Sequence, residues 1–173
     1  MVRVPDPQER AFEPATGDGP EPEGDGGTRA AEVRTAYEGL RQIRHLLGGG
    51  GAPAPWELRL MPRAVALVLE AAGFPPSALD ARGQRCRTGY RVTAAAPGTG
   101  GEVPRPGPDR VEVTGPGTGR VEVTWQGPPG GGAAREEQER LTACAAELER
   151  HGWECLLYRG PRGRRFLEVE PPR

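Results

Sequence analysis

Residues 110–126 read RVEVTGPGTGRVEVTWQ, and the fold turns on this stretch. Val111, Val113, Val121, Val123 and Trp125 alternate with Glu112, Thr114, Glu122 and Thr124. That period of two belongs to half-buried strands. The turn chemistry of GPGTG between the two copies predicts an antiparallel hairpin. In a symmetric register Val113 faces Val121 and Val111 faces Val123. The valines and Trp125 then share one face, which must be roofed by helices.

The flanking segments extend the same pattern. Residues 88–95 (TGYRVTAA) predict a strand with Tyr90, Val92 and Ala94 on one face. Residues 133–151 predict a helix with Leu141, Cys144, Ala145 and Leu148 as its apolar stripe. Its early Glu136, Glu137 and Glu139 and its late Arg150 and His151 suit the helix dipole, and Gly152 suits a left-handed cap. Residues 153–170 (WECLLYRGPRGRRFLEVE) predict a second hairpin. Upstream, Pro62 suits a helix start, and residues 64–72 are apolar nearly all round, as a buried helix requires. Gly73 is placed to cap it, and Pro75 and Pro76 forbid continuation. WELRL (56–60) fits either a short strand or a helix lead-in. VLEAAGF (68–74) and AELERHGW (146–153) are both helix–glycine–aromatic units followed by strands, a faint repeat of an αββ unit.

Residues 29–47 predict an amphipathic helix with Val33, Ala36, Leu40, Ile43 and Leu47 on one seam and Thr28 as N-cap. Residues 48–55 are Gly/Ala/Pro and read as a flexible tether. Residues 1–28 carry seven acids, two arginines and little to bury, so a disordered acidic tail is expected. The fold class that follows is α+β. It is a mostly antiparallel sheet of about five strands with two or three helices packed on one face, in the order α-α-β-β-β-α-β-β. Residues 29–173 form its single domain.

Composition narrows the function classes. All 23 basic residues are Arg, Lys and Asn are absent, and Ile and Ser occur once each. That bias is the mark of GC-rich codons, as in a high-GC bacterium, so an all-Arg basic set says little about partners. The tail carries a net −5 and the remainder +4. Three cysteines without a CxxC pair fit a reduced, cytoplasmic protein. The N-terminus has no apolar signal region, and no apolar run is long enough to span a bilayer, so no membrane association is expected.

The reactive residues are scattered. Ser77, the sole serine, lies in a Pro-Pro-Ser turn without a GxSxG elbow. Cys144 and Cys155 fall at core positions, and His45 and His151 at helix ends. Cys144, His151 and Cys155 lack the paired spacing and fourth ligand of a zinc site. Glu112 and Glu122 face each other on the outer side of the hairpin, with Arg91 as neutraliser. GPPGGG (127–132) lies between a strand and a helix but has no phosphate-loop motif, and the glutamates behind it would repel phosphate. No catalytic residue, cofactor or metal is therefore assigned.

Two features remain. RGQRCRTGYR (82–91) and RGPRGRR (159–165) are acid-free Arg loops beside aromatics. They nominate Arg85, Arg87, Arg162, Arg164 and Arg165 for anion or nucleic-acid contact, with Tyr90 and Phe166 for base stacking. The helix seam Val33, Leu40, Ile43 and Leu47 is the candidate surface for a protein partner. The expected function is a non-catalytic accessory or protein-interaction domain. The alternative is a nucleic-acid-associated regulatory protein whose acidic tail competes for the Arg loops.

Overall fold

The computed structural model describes residues 12–23, 25–48, 51–95 and 119–173. Its helices are α1 (Gly26–Leu46), α2 (Pro55–Arg59), α3 (Met61–Ala71) and α4 (Ala133–Arg150). Its strands are β1 (Ala78–Leu79), β2 (Arg85–Arg87), β3 (Gly89–Ala94), β4 (Val121–Gln126), β5 (Glu154–Arg159) and β6 (Arg165–Glu170). The architecture is α+β, with a two-stranded sheet β1-β2 and a four-stranded sheet in the order β3-β4-β6-β5, both antiparallel.

The strand count differs from the five read in the sequence. Residues 110–114, including Val111, Glu112 and Val113, lie outside the described residues. Over Val121–Val123, β4 is flanked by β3 on one side and β6 on the other. Its alternation works as expected: Val121, Val123 and Trp125 are buried and the residues between them are half-buried. Tyr90, Val92, Leu167 and Val169 join them in the core against Val65, Val68 and Leu69 of α3 and Leu141, Cys144 and Leu148 of α4. Ala94 is exposed, and Ala95 is buried in its place.

The faint repeat is built into this layout. With the β1-β2 pair inserted after α3, α3-β3-β4 and α4-β5-β6 follow one αββ order, and their second strands β4 and β6 meet at the centre of the sheet. Both helices end alike. Gly73 donates to the Glu70 carbonyl and Phe74 to the Leu69 carbonyl; Gly152 donates to the Glu149 carbonyl and Trp153 to the Leu148 carbonyl. Each glycine takes the left-handed conformation (φ +88° and +82°) of a helix C-cap. The aromatic that follows folds back onto the core.

Two expectations about the N-terminal region need correction. Residues 12–23 are a strap that bends at residues 17–20 and runs along the edge of β3, while the rest of the tail (1–11 and 24) lies outside the described residues. The Val92 amide donates to the Thr16 carbonyl (2.7 Å) and the Leu79 amide to the Gly19 carbonyl (2.9 Å). Gly17 makes this approach possible. At φ +86°, a Cβ there would strike the Tyr90 carbonyl and lie 2.9 Å from the Arg91 Cα. The strap also pairs its acids, with Asp18 on Arg91 (2.5 Å) and Arg85 (3.2 Å) and Glu21 on Arg87 (2.7 Å). Local charge pairing and backbone hydrogen bonds supplement the strap's one apolar anchor, Phe12, which packs against the cluster of Val33, Leu40 and Leu67.

Helix α1 is fixed rather than loosely tethered. It begins at Gly26 because Asp25, not Thr28, is the N-cap; the Asp25 carboxylate accepts the Thr28 amide at 2.6 Å. Val33 and Leu40 are buried with Leu67 of α3, so this part of the proposed partner seam is closed within the fold. Ile43 and Leu47 remain exposed at the helix end. Below them Arg44 makes a buried two-point bond to Glu57 (2.8 and 2.6 Å) and donates to the His151 carbonyl (2.6 Å). Glu57 also accepts the Ala54 amide, so α1, α2 and the end of α4 share one charged knot. Among the described residues no helix is long and apolar enough to cross a membrane.

Candidate anion-binding groove

At one end of the sheet β4 passes into GPPGGG and then α4. The turn is tight: a Cβ on Gly127 would strike the Thr88 hydroxyl and sit 3.2 Å from the Ala133 Cβ. The N-cap of α4 is Gly132, so no side chain caps the first amides of the helix. An open groove of about 1040 Å³ runs here, and Arg85, Arg135, Arg164 and Arg165 line it with the polar Thr124 and Gln126.

Among the described residues Glu137 is the one carboxylate in this lining, and it is occupied. It is buried, accepts Arg164 Nε at 2.6 Å and accepts the Arg165 amide at 3.0 Å. Arg164 Nη2 donates to the Trp125 carbonyl (3.0 Å), which fixes the guanidinium at the sheet end. Glu136, the acid of the first helical turn, leans toward Arg140 (3.6 Å). The repulsion expected from Glu137, the glutamate that lines the groove, is therefore offset by Arg164. Arg85 donates to the Gly17 carbonyl and the Ser77 hydroxyl, both at 2.7 Å. Among the described residues the Arg135 and Arg165 guanidinium groups have no ion partner.

The structure brings some of the sequence candidates together and separates others. Arg85, Arg164 and Arg165 share the groove. Arg87 instead lines a separate groove with Glu21 and Glu70, and Arg162 sits in the exposed β5–β6 turn. Tyr90 cannot stack on a base. It is fully buried, its hydroxyl lies 2.8 Å from the Ala15 carbonyl, and burial drives its pKa far up. Phe166 stacks on Tyr158 with centroids 5.5 Å apart on the outer sheet face. Sequence reading missed Arg135 because a helix-surface arginine has no local signature. It missed the neutralising role of Glu137 because its partners come from a strand 27 and 28 residues away.

Of the other reactive groups, His151 and Ser77 are held in hydrogen bonds and Cys144 is buried, while Cys86 and His45 are exposed. Burial pushes the thiols of Cys144 and Cys155 up to about 12, with Cys155 a lesser cause for Cys144 and Glu149 a lesser cause for Cys155. Such thiols stay protonated and weakly nucleophilic. His151 Nδ1 donates to the Glu147 carbonyl (2.7 Å), which leaves Nε2 to accept the Tyr37 hydroxyl. Ser77 donates to the Gly17 carbonyl. Glu122 stands opposite Glu168, while Arg91 is taken by Asp18; Arg120 supplies the counter-charge on this face, 2.5 Å from Glu170. Among the described residues no group of three or more His, Cys, Asp or Glu could hold a metal ion. Comparison with protein-family models, with curated proteins and with solved structures finds no match to this chain.

Proposed function

We propose that the protein is a non-catalytic binding protein whose groove at the start of α4 takes a phosphate-bearing anion. The observation that carries this reading is the set of four arginines around one groove, where the only lining carboxylate among the described residues is spent on Arg164. Charge-assisted hydrogen bonds from guanidinium to phosphate are short, strong and often two-pronged. The uncapped amides of α4 add partial positive charge to the same space. The buried thiol of Cys144, the half-buried thiol of Cys155 and the histidine tied between Tyr37 and Glu147 support a binding role over a catalytic one. The three free thiols suit the reducing cytoplasm.

Calorimetric titration of the full chain with pyrophosphate at low salt tests this. Binding is expected, weakening as salt rises. Arg135→Gln and Arg165→Gln should each lower affinity about tenfold, the equivalent of ~1.4 kcal/mol. No heat at low salt, or full affinity in both variants, refutes the reading. The Tyr158–Phe166 stack favours a second reading, a single-stranded nucleic acid with bases laid on the outer sheet face. In that case an oligonucleotide binds far more tightly than pyrophosphate, and Tyr158→Ala removes the difference.

A further inference from the structure

The two edges of the four-stranded sheet are treated differently. The edge of β3 is closed: Tyr90 donates to the Pro75 carbonyl, Ser77 to the Tyr90 carbonyl and Val92 to the Thr16 carbonyl, at 2.7–2.9 Å. β5 pairs with β6 on one side, and among the described residues no strand covers its other side. Natural sheets guard such an edge with Lys, Pro or a bulge. Here the edge reads ECLLYR, with Leu156, Leu157 and Tyr158 respectively 54%, 42% and 42% exposed.

We propose that this edge pairs antiparallel with the same edge of a second copy of the chain, joining two four-stranded sheets into one. A two-fold axis normal to the sheet keeps the faces of the two sheets in line. Placed at Leu157, it sets Leu157 against its own copy and Leu156 against the second copy's Tyr158. Leu156 and Tyr158 lie on the outer face, because they stand opposite Glu168 and Phe166 of β6. Cys155 and Leu157 lie on the helix-covered face, opposite Val169 and Leu167. Aliphatic–aromatic cross-strand pairs of this kind stabilise sheets.

Charge selects a second copy over an unrelated strand. The same register sets Arg159 against the second copy's Cys155. Glu149 of α4 is close enough to Cys155 to help raise the pKa of its thiol. Arg159 and Glu149 have no ion partner among the described residues. The two-fold therefore gives each a partner and makes the pair twice. The edge lies outside the groove, and Leu157 stands opposite Leu167 rather than beside a groove arginine, so the Leu157 test stands apart from anion binding.

Sedimentation equilibrium of the full chain provides that test. A monomer–dimer equilibrium is expected. Leu157→Asp should abolish the dimer, with the far-ultraviolet circular dichroism unchanged because the residue is exposed. Arg159→Glu should weaken association about tenfold, and Arg159→Glu combined with Glu149→Arg should restore it. A monomer at every concentration overturns the proposal. So does a dimer indifferent to Leu157→Asp, and so does a charge exchange that fails to rescue.

Discussion

Among single residues, Arg44 and Glu57 carry the largest electrostatic stakes. Both are buried, and every oxygen of Glu57 is bonded, to Arg44 or to the Ala54 amide. A buried pair of this kind adds little net stability over an apolar pair of the same size, but breaking it strands a charge. Arg44→Met should therefore cost about 3–5 kcal/mol in urea unfolding, and Arg44→Met with Glu57→Leu should recover most of that. If the double variant is no more stable than the single, Glu57 is not the stranded charge. Nothing in the sequence announced this pair. Arg44 ends one helix, Glu57 lies beyond a glycine-rich connection, and only the tertiary fold brings them together. By contrast the core side chains Val121, Val123, Trp125, Leu141 and Leu148 were legible because they repeat at strand or helix period, and burial follows that period directly.

At the scale of elements, the strap 12–23 couples the acidic N-terminal region to the groove. Asp18 holds Arg85, one of the four groove arginines, and Gly17 sets the strap against β3. Asp18→Asn should free that charge and tighten pyrophosphate binding by roughly twofold to fivefold, the size of a partly exposed ion pair. Gly17→Ala should do the same and also speed hydrogen exchange at the Val92 amide, which bonds to Thr16. Unchanged affinity in both variants would detach the strap from the site. The sequence exposed the charge asymmetry behind this competition but not the strap itself. An extended segment held by backbone bonds and one close-fitting glycine has no hydrophobic period to read. Helices α3 and α4 and the β5–β6 hairpin were legible for the opposite reason, because their caps and turns are local. The groove fell between these cases: its Arg loops were visible, but Arg85 and Arg87 share one face of β2, and their separation into two grooves depends on which distant segments pack beside each.

For the molecule as a whole, the two αββ units raise the question of whether either folds alone. Their similar helix caps point to a common local design, but the packing does not keep them apart. The inner strands β4 and β6 come from different units and are hydrogen-bonded neighbours. α4 rests on β4 of the other unit as well as on its own β5 and β6, and α3 packs against α4. Trp125 of one unit and Trp153 of the other are buried in a single core. Each unit alone would expose an inner strand edge and half of that core, a loss comparable to the marginal stability of a small domain. Urea unfolding followed by tryptophan fluorescence and by far-ultraviolet circular dichroism should therefore give one midpoint. Leu148→Ala in α4 should lower both curves together by about 2–5 kcal/mol, through the cavity it leaves. Two separated midpoints, with Leu148→Ala moving only one, would mean that the units are autonomous and that the interleaved sheet is not what holds them.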